Sequence, residues 1–432
     1  MRNTPTLVLC LMALAVSVLT ACGGSDKSGD VRVLNVSTGY NSLDMYANDG
    51  SSSTDTLELQ SVAYGSTSNY VGLKSGTYTV KFKVHSLSDT LQTLSGAKFA
   101  DESHTTYIAF GSSGNFSALA INEDQGTPDS GKSQVQLYNT AEAGSLDVYL
   151  TDASAALTDT SPTFSAVASG SSATASSLDK GTYRLRVTGA GDKTDLRLDL
   201  ASITFGDQKV SSVILTSTQG GVLVNALYLP QQGSLTEYKN TQSRVRAAVG
   251  IANGTTVTTG LGGLTLLNNA TVGVVNSGYQ QVTAGTAAVT LAVDGNALTV
   301  ADQTLVAGAD YTFLVWSNAD GTQTSLISDD NHAPTSSGKV KIRLLNGMSG
   351  LAAPITLTAN FSPVAERIAV GQASTAEQID GGSDYELDVT NGDTGANLLS
   401  KTSVSLQSGN VYTMFLSGGG SAAVVGTLHK DR

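Results

Sequence analysis

The chain has 432 residues, of which 14% are charged and 6% aromatic, with 46 Gly, 7 Pro and a formal net charge of −12. This composition excludes a collagen, a coiled coil, a disordered acidic tail and a polybasic nucleic-acid-binding protein. Hydrophobic residues make up 40% of the chain, which is enough for packed cores. At roughly 100–200 residues per domain, the length predicts several domains.

The N-terminus has the pattern of an export signal. A single positive side chain, Arg2, precedes an apolar run over residues 7–19, which is shorter than a membrane-spanning helix and fits a secretory signal. The run ends in a segment that resembles the bacterial lipobox, in which the Cys is acylated and the preceding peptide is removed: Leu19, Thr20, Ala21 and Cys22. We therefore predict lipidation at Cys22 and a lipid-anchored protein of the cell envelope. A plain secreted protein is the alternative.

Two further properties follow from this signal. An Asp directly after the lipidated Cys tends to retain lipoproteins in the inner membrane, and this chain has Gly23 there. The outer membrane is therefore favoured, and the protein could face either the periplasm or the cell surface. Cys10 lies in the removed segment and Cys22 carries the lipid, so no thiol remains for a disulfide, a cysteine zinc site or a nucleophile. Without residues 1–21 the chain has 23 basic and 36 acidic residues, a net charge of −13, which disfavours nucleic acid as a partner.

The rest of the chain contains four copies of a repeat. Each copy opens with an alternating strand, at residues 31–35, 135–139, 244–247 and 340–346. A Gly followed by a Tyr marks a second strand, at residues 76–80, 181–185 and 382–387, and fades to residues 285–289 in the third copy. A third marker lies at residues 107–110, 310–315 and 411–415, with residues 212–215 in the second copy. Three markers in one order indicate tandem domains of about 100 residues.

Within each copy the hydrophobic pattern has a period of two. Val80, Phe82 and Val84 alternate with Lys81 and Lys83, which is typical of a half-buried antiparallel strand. Clusters of Gly, Ser, Asn and Asp separate such runs, and no helical period follows the signal. We therefore predict an all-β protein of about four tandem Ig-like antiparallel β-sandwich domains, each with around seven strands. A small closed barrel in each copy is the alternative.

The markers and connectors divide the chain. We predict a signal peptide over residues 1–21, a flexible tether over 22–30, and β-sandwich repeats over 31–121, 134–230, 243–328 and 339–432, of which the third is divergent. Linkers occupy residues 122–133, 231–242 and 329–338. The first and last linkers share acidic residues, a Pro and then Ser-Gly-Lys. Since such segments are short and partly stiffened by Pro, we expect the domains to lie as beads on a semi-extended rod.

The repeats resemble a known family. The opening strand, the segments 42–46 and 145–149, the segment 62–65, the Gly-Thr-Tyr strand and the acidic linker are similar to bacterial "domain of unknown function 4397" repeats. The resemblance is best over residues 31–228 and the linker into the fourth copy, and weak in the third copy. It implies tandem Ig-like sandwiches in exported envelope proteins, and it assigns no site residues.

One motif matches a nucleotide-binding pattern. Residues 126–133 fit the P-loop pattern G-x-x-x-x-G-K-[ST], which requires a helix directly after the loop. An alternating strand follows instead. Within the loop, Pro128 has no N–H to donate to a phosphate, and the carboxylate of Asp129 would repel one. We therefore interpret this segment as a linker.

Other site candidates are sparse. The four histidines, His85, His104, His332 and His429, form no metal motif, and no H-E-x-x-H or G-x-S-x-G pattern occurs. Acidic linkers can coordinate Ca²⁺, and the candidates are Glu123, Asp124 and Asp129 and, above all, Asp329, Asp330 and Asn331. Solvated acidic linkers are the favoured interpretation. Asp44 and Asp147, which recur beside a Tyr, are interpreted as structural.

The function predicted from these features is non-enzymatic and without a cofactor. The lipid would attach the chain to the membrane, and the tandem domains would act as an extended structural, adhesive or protein-interaction arm toward envelope proteins or extracellular glycans. An alternative is a carbohydrate-binding accessory lipoprotein of a polysaccharide system, which requires exposed coplanar Tyr side chains. A third is a hydrolase, which requires an interdomain cleft with convergent carboxylates. Repetition of Tyr at one strand position indicates core or corner packing.

Overall fold

The computed structural model describes residues 27–251, 254–275, 278–419 and 422–432. Within these residues the chain forms 38 β-strands and one short 3₁₀ helix, Leu157–Asp159. No helix in this part of the chain is long and apolar enough to cross a membrane. The alternating sequence pattern has therefore produced strands, as its period of two predicts.

Domain 1 consists of nine strands: β1 (Ser28–Asn35), β2 (Ser42–Asn48), β3 (Thr56–Ala63), β4 (Ser66–Thr67), β5 (Val71–Lys74), β6 (Gly76–Val84), β7 (Thr90–Phe99), β8 (His104–Phe110) and β9 (Ser117–Asn122). One sheet has the order β4–β1–β8–β9, with β5 also paired to β1, and the other has the order β3–β2–β6–β7. Strand β1 begins within the residues predicted as a tether, because residues 28–31 pair with β5.

Domain 2 repeats this plan with ten strands: β10 (Lys132–Asn139), β11 (Leu146–Thr151), β12 (Phe164–Val167), β13 (Ser171–Ser172), β14 (Ser176–Asp179), β15 (Gly181–Gly189), β16 (Asp192–Phe205), β17 (Lys209–Ser217), β18 (Val224–Pro230) and β19 (Thr236–Tyr238). The sheets have the orders β13–β10–β17–β18–β19, with β14 also paired to β10, and β12–β11–β15–β16.

Domain 3 is the divergent copy: β20 (Gln242–Gly250), β21 (Val257–Leu261), β22 (Leu264–Ala270), β23 (Gln280–Thr283), β24 (Gly285–Ala287), β25 (Val289–Val293), β26 (Asn296–Leu298), β27 (Gln303–Leu305), β28 (Asp310–Asn318) and β29 (Gly321–Asp329). Its sheets have the orders β23–β20–β28–β29 and β22–β21–β25–β26, and β24 pairs with β27. It keeps the plan of the other domains although its sequence markers are weak.

Domain 4 has nine strands: β30 (Lys339–Asn346), β31 (Ile355–Ala359), β32 (Ser362–Ile368), β33 (Gln372–Ala373), β34 (Glu377–Asp380), β35 (Gly382–Asn391), β36 (Asn397–Leu406), β37 (Val411–Gly419) and β38 (Ala422–Lys430). The sheets have the orders β33–β30–β37–β38, with β34 also paired to β30, and β32–β31–β35–β36.

The four domains share one architecture. In each, the opening strand pairs in parallel with the third-marker strand: β1 with β8, β10 with β17, β20 with β28 and β30 with β37. The other pairings are antiparallel, and the two sheets of a domain face each other without closing. The predicted class of tandem all-β sandwiches is confirmed and the closed-barrel alternative is wrong. The parallel pair was not predicted, because period two does not reveal strand direction.

Each domain has its own buried core between its two sheets. In domain 1, Val31 and Val33 of the opening strand contact Val80 and Phe82 of the second-marker strand, and all four are 1% exposed or less. Equivalent cores occupy the other three domains. The residues between these inward positions point to the outer face of the sheet, and their environment is described next.

The domains pack in pairs through those outer faces. Between domains 1 and 2, a cluster of nine buried apolar residues joins the two opening sheets: Leu34, Val36, Ile108, Phe110, Ile121, Tyr138, Ile214, Leu227 and Leu229. Between domains 3 and 4 the equivalent cluster has four buried members: Ala248, Leu314, Leu345 and Phe415. The prediction of beads on a semi-extended rod is therefore wrong, because the outer faces are buried against one another.

A single glycine marks the closest approach in the second pair. The opening strands of domains 1, 2 and 4 end in a fully buried asparagine, Asn35, Asn139 or Asn346, whereas β20 ends in Gly250. A Cβ atom at Gly250 would lie 2.0 Å from the backbone oxygen of Gly347. Domain 3 therefore needs glycine at this position, where its backbone meets domain 4 directly.

Candidate functional site

Buried ionisable side chains lie at the domain interfaces. In domain 1, Arg32 extends from the outer face of β1 and is 6% exposed. Its Nε donates to Thr106 Oγ1 at 2.8 Å, and its Nη2 forms an ion pair with Glu123 Oε1 at 2.8 Å. Its Nη1 donates across the interface to the carbonyl oxygen of Gly233 at 2.8 Å. Each guanidinium nitrogen therefore makes a hydrogen bond, and Glu123 neutralises the buried charge, as burial requires.

Tyr70 completes this cluster. Its ring centroid lies 4.5 Å from the Arg32 guanidinium carbon, and its hydroxyl donates to Glu123. Burial and the hydrogen bond to the Glu123 carboxylate raise the pKa of Tyr70 well above its usual range, so the phenol stays protonated and acts as a donor.

Domains 3 and 4 each have an arginine at the position equivalent to Arg32, and the two arginines form a pseudo-symmetric network. Arg246 of β20 donates to Thr312 at 2.9 Å and pairs across the interface with Asp431. Arg343 of β30 donates to Thr413 at 2.7 Å and pairs across the interface with Asp329 at 2.9 Å. All four ionised side chains are 4% exposed or less. Each domain therefore provides one Arg for the carboxylate at the end of its partner.

The electrostatics of this network favour the charged forms of the arginines. Burial alone would lower the pKa of Arg343, but Asp329, Tyr279 and Asp431 raise it. Tyr279 donates to Asp329 at 2.8 Å, and its pKa is raised well above its usual range by burial and then by the two carboxylates. The two arginines therefore stay charged, and the phenol of Tyr279 stays protonated, at neutral pH.

Domains 2 and 3 connect the two pairs. The N–H of Gly220 donates to the carbonyl of Gly308 at 2.8 Å, and the N–H of Asn331 donates to the carbonyl of Gly220 at 3.1 Å. Arg432, after the last strand of domain 4, donates to the carbonyls of Gly221 and Asn331 at 3.2 Å each. Burial lowers the pKa of Arg432 to about 10. These contacts bring domains 2, 3 and 4 together around one point, which domain 1 also borders.

A cleft of about 620 Å³ lies at that point and is the main candidate site. Domain 1 contributes Thr38, Asn41 and Tyr64, and domain 2 contributes Gln219. The segment between domains 3 and 4, together with domain 4, contributes a charged wall that includes Asp330. The volume falls within the roughly 300–1,000 Å³ typical of small-molecule sites. Sequence analysis missed this cleft, because its walls come from segments far apart in the chain.

The charged wall of the cleft is internally neutralised. Asp330 Oδ1 lies 2.7 Å from His332 Nδ1, and Asp330 Oδ2 accepts from Lys341 Nζ at 2.8 Å. Partial burial would raise the pKa of Asp330, but the hydrogen bonds from His332 and Lys341 outweigh it and hold the pKa well below its usual range. The carboxylate therefore stays ionised, and it is the one carboxylate among the described residues that line the cleft, whereas hydrolysis of a glycoside uses a pair.

The candidate calcium ligands do not converge. Asp329 binds Arg343, Tyr279 and Thr312, Asp330 binds Lys341 and His332, and Asn331 donates to Asp310 at 2.7 Å. In the first linker, Glu123 binds Arg32, while Asp124 accepts from the backbone N–H of His104 at 2.7 Å. In the described ranges no group of three or more His, Cys, Asp or Glu side chains is arranged to hold a metal ion.

The P-loop match is a linker followed by a strand. Residues 123–129 have no regular structure, and β10 begins at Lys132, whose Nζ pairs with Asp179 at 2.8 Å. The helix that a phosphate site needs is absent at this described position. The histidines are also separate: His85 Nδ1 lies 2.9 Å from Asp44 Oδ1, and His104 Nδ1 lies 2.9 Å from Asp124 Oδ1.

The repeated aspartates have a structural role. Asp44 in β2 accepts from the N–H of Ser61 at 2.7 Å, and Asp147 in β11 accepts from the N–H of Ala166 at 2.6 Å. Ser61 and Ala166 have φ of 57° and 49°, and each lies where the strand pairing shifts register. The carboxylate therefore stabilises a left-handed residue at a β-bulge. In domains 3 and 4 a threonine hydroxyl takes the place of the carboxylate. Thr258 accepts from the N–H of Asn269, and Thr356 accepts from the N–H of Arg367.

The repeated tyrosines pack at strand corners, as their recurrence at one strand position predicts. The hydroxyls of Tyr78, Tyr183 and Tyr385 donate to backbone carbonyls four or five residues upstream, at 3.0, 2.7 and 2.7 Å. All 15 tyrosines lie in the described part of the chain, and Tyr64 alone is exposed. The coplanar pair of exposed Tyr side chains that the carbohydrate alternative requires is therefore not present on any described domain. The lipobox, Leu19 to Cys22, lies outside the described residues.

No curated protein matches the chain. One matching solved structure is the crystal structure of CBMbc (family CBM26) from Eubacterium rectale Amy13K in complex with maltoheptaose. It is 9% identical, with a TM-score of 0.15, over 48% of this chain and 96% of that chain.

The family comparison gives the assignment. The family described as "Domain of unknown function (DUF4397)" matches residues 29–149 and 243–353. The second range contains domain 3, so domain 3 keeps the family's pattern where its markers looked faint. The first range ends at residue 149, short of the expected best resemblance over residues 31–228. Each range starts at the first strand of a packed pair and extends into its second domain. Because the two ranges cover more than half of the sequence, this chain belongs to the DUF4397 family.

Proposed function

We propose that this chain is a non-enzymatic, lipid-anchored cell-envelope protein whose packed β-sandwich domains act as a structural or adhesive interaction unit. The observation that carries the proposal is the use of the buried charges. Arg32, Glu123, Arg246, Arg343 and Asp329 are each bound to an opposite charge, at or next to a domain interface. Their chemistry holds domains together, and a rigid unit of this kind suits binding and support.

The predicted anchor connects this unit to the envelope. Lipidation of Cys22 would place domain 1 a few residues from the membrane surface, since β1 begins at Ser28. Several acyl chains hold a protein firmly, because each buried CH₂ contributes about 0.8 kcal/mol. The outer membrane is the proposed location, with envelope proteins or extracellular glycans as partners.

Membrane fractionation tests the anchor. We expect the wild-type protein in the membrane fraction and Cys22→Ala outside it. Cys10→Ala is the matched control, because Cys10 lies within the apolar signal run, and this variant should stay with the membrane. Recovery of the wild type in the soluble fraction would contradict the proposal.

Protease treatment of intact cells tests the adhesive role. Digestion of the wild type would support a surface-exposed unit and direct the search to external partners. Full protection of the wild type, combined with its recovery in membranes, would rule out adhesion and leave a structural role inside the periplasm.

A further inference from the structure

We propose that the cleft between the four domains binds a short, uncharged oligosaccharide. This inference rests on the proposed function, since it names the ligand class of an interaction protein. It is carried by the chemistry of the cleft wall: neutralised charges, unpaired hydroxyl and amide groups, and one exposed aromatic ring.

The charge balance of the cleft favours a neutral ligand. Asp330 is held by Lys341 at 2.8 Å and by His332 at 2.7 Å, so its carboxylate and the ammonium of Lys341 already neutralise each other. An anionic ligand would have to compete with Asp330 for Lys341, and a cationic one with Lys341 for Asp330. A ligand without charge leaves the existing pairs intact.

The polar groups of the cleft match hydroxyl groups. The side chains of Thr38, Asn41 and Gln219 are exposed and make no hydrogen bond to another described residue. They offer one hydroxyl and two amides, each of which both donates and accepts. Sugar hydroxyls have the same dual character, and a ring of such groups can satisfy several of them at once.

Tyr64 supplies the apolar contact. It is 48% exposed and is the one exposed tyrosine of the chain, all 15 of which are described. Its backbone is fixed, because its N–H donates to the carbonyl of Asn41 at 2.8 Å and the N–H of Gly65 donates to the carbonyl of Asn35 at 2.8 Å. A flat ring with a polar tip can stack on the C–H face of a sugar at low entropic cost.

A peptide fits the cleft less well. Besides Tyr64, the nonpolar residues of its wall are Gly39, Ala307 and Ala333, which form no pocket for an apolar side chain. Peptide recognition relies on such pockets or on an exposed sheet edge. The wall is also set by four packed domains, which are joined by apolar clusters, ion pairs and backbone hydrogen bonds. The cleft is therefore preorganised, and little further ordering is needed when a ligand binds.

A glycan array tests the proposal with the lipidated full-length protein in detergent, against neutral oligosaccharides, acidic oligosaccharides and a peptide set. We expect binding to neutral oligosaccharides. For the best of them, calorimetry should show Kd raised by about tenfold or more in Tyr64→Ala, the size expected for loss of a central aromatic contact, and a smaller increase in Gln219→Ala. Phe361→Ala is the matched control, because Phe361 is 77% exposed in domain 4 and does not line the cleft.

Three outcomes would overturn the inference: no neutral oligosaccharide bound, a preference for acidic glycans or peptides, or unchanged Kd in Tyr64→Ala. Far-UV circular dichroism, which reports on the strands of all four domains, and membrane fractionation of the same variants confirm folding and anchoring. If a variant remains folded and membrane-bound, failure of glycan binding contradicts the ligand assignment alone. Loss of wild-type anchoring would instead contradict the proposed function.

Discussion

The interface between domains 1 and 2 and the interface between domains 3 and 4 use the same sheet face with different chemistry. The first buries nine apolar residues and one ion pair, Arg32 with Glu123. The second buries four apolar residues and a double network, in which Arg246 pairs with Asp431 and Arg343 with Asp329. One architecture is thus held mainly by hydrophobic burial in one pair and by charge complementarity in the other.

Equivalent positions show how the two interfaces differ. Arg32, Arg246 and Arg343 lie opposite Thr106, Thr312 and Thr413 on the parallel partner strand, and in domain 2 these positions hold Gln136 and Ser212. There the linker residue Gln231 exchanges two hydrogen bonds with the backbone of Gln125, at 2.9 and 3.1 Å. In the domain 1–2 interface a neutral amide therefore takes the place of one of the two arginine–carboxylate pairs of the domain 3–4 interface. The larger apolar cluster supplies the stabilisation that this pair would give.

The largest expected effect breaks the charged interface. Arg343→Met would leave Asp329 and Asp431 buried with a single arginine, and it should lower the free energy of unfolding of the domain 3–4 pair by about 3–5 kcal/mol. Urea unfolding followed by Trp316 fluorescence measures this, since Trp316 is the one tryptophan and lies beside the interface cluster. Arg367→Met, within domain 4, is the control. Its pair with Asp393 is about half exposed, so about 1 kcal/mol or less is expected, and equal losses in both variants would contradict the comparison.

A second change breaks the apolar interface. Ile214 is fully buried in the domain 1–2 cluster, and Ile214→Ala should cost about 2–5 kcal/mol through lost burial and a cavity. Hydrogen exchange should accelerate in β8 and β17, whereas the Trp316 unfolding midpoint should not move. The control Leu57→Ala, at a residue that is 39% exposed, should change stability by about 0.5 kcal/mol or less. A shift of the Trp316 midpoint in Ile214→Ala would show that the two interfaces are not independent.

The smallest expected effect sharpens the comparison through pH. Burial, and then the charge of Arg246, lowers the pKa of His429 in the domain 3–4 interface. Below about pH 6.5 the unfolded chain therefore takes up a proton that the folded chain resists, so stability falls as the pH decreases through this range. His429→Gln should reduce the slope of the urea midpoint between about pH 5 and 7. An unchanged slope would assign the pH dependence to other groups.

Sequence reasoning was most successful where the signal is local. Alternation at Val80, Phe82 and Val84 predicted strands with one inward face, and the recurrence of Tyr78, Tyr183 and Tyr385 predicted corner packing, which the hydroxyl contacts confirm. The lipid attachment at Cys22 remains a prediction, since that residue lies outside the described part of the chain.

The same reasoning failed where contacts join distant segments. Alternation places Arg32 on the outer face of its strand but does not show what covers that face, and the structure buries it with Glu123, 91 positions away. Acidic linker residues such as Asp329 looked like solvated residues or calcium ligands, but they are the anions of the interface. Composition cannot tell a solvated residue, a calcium ligand and an interface anion apart, because an acidic linker residue is common in all three roles.

The amino-acid sequence by itself determined that this protein is a series of β-sandwich repeats of the DUF4397 family, because strand alternation and turn residues act over a few positions. Only the tertiary structure decided that the domains pair, which arginine meets which carboxylate, and that Tyr64, Gln219 and Asp330 line one cleft. The physical reason is that an outer sheet face with alternating apolar and charged residues suits water or a partner sheet equally well. The choice depends on whether a complementary face, more than 90 residues away, is positioned to cover it.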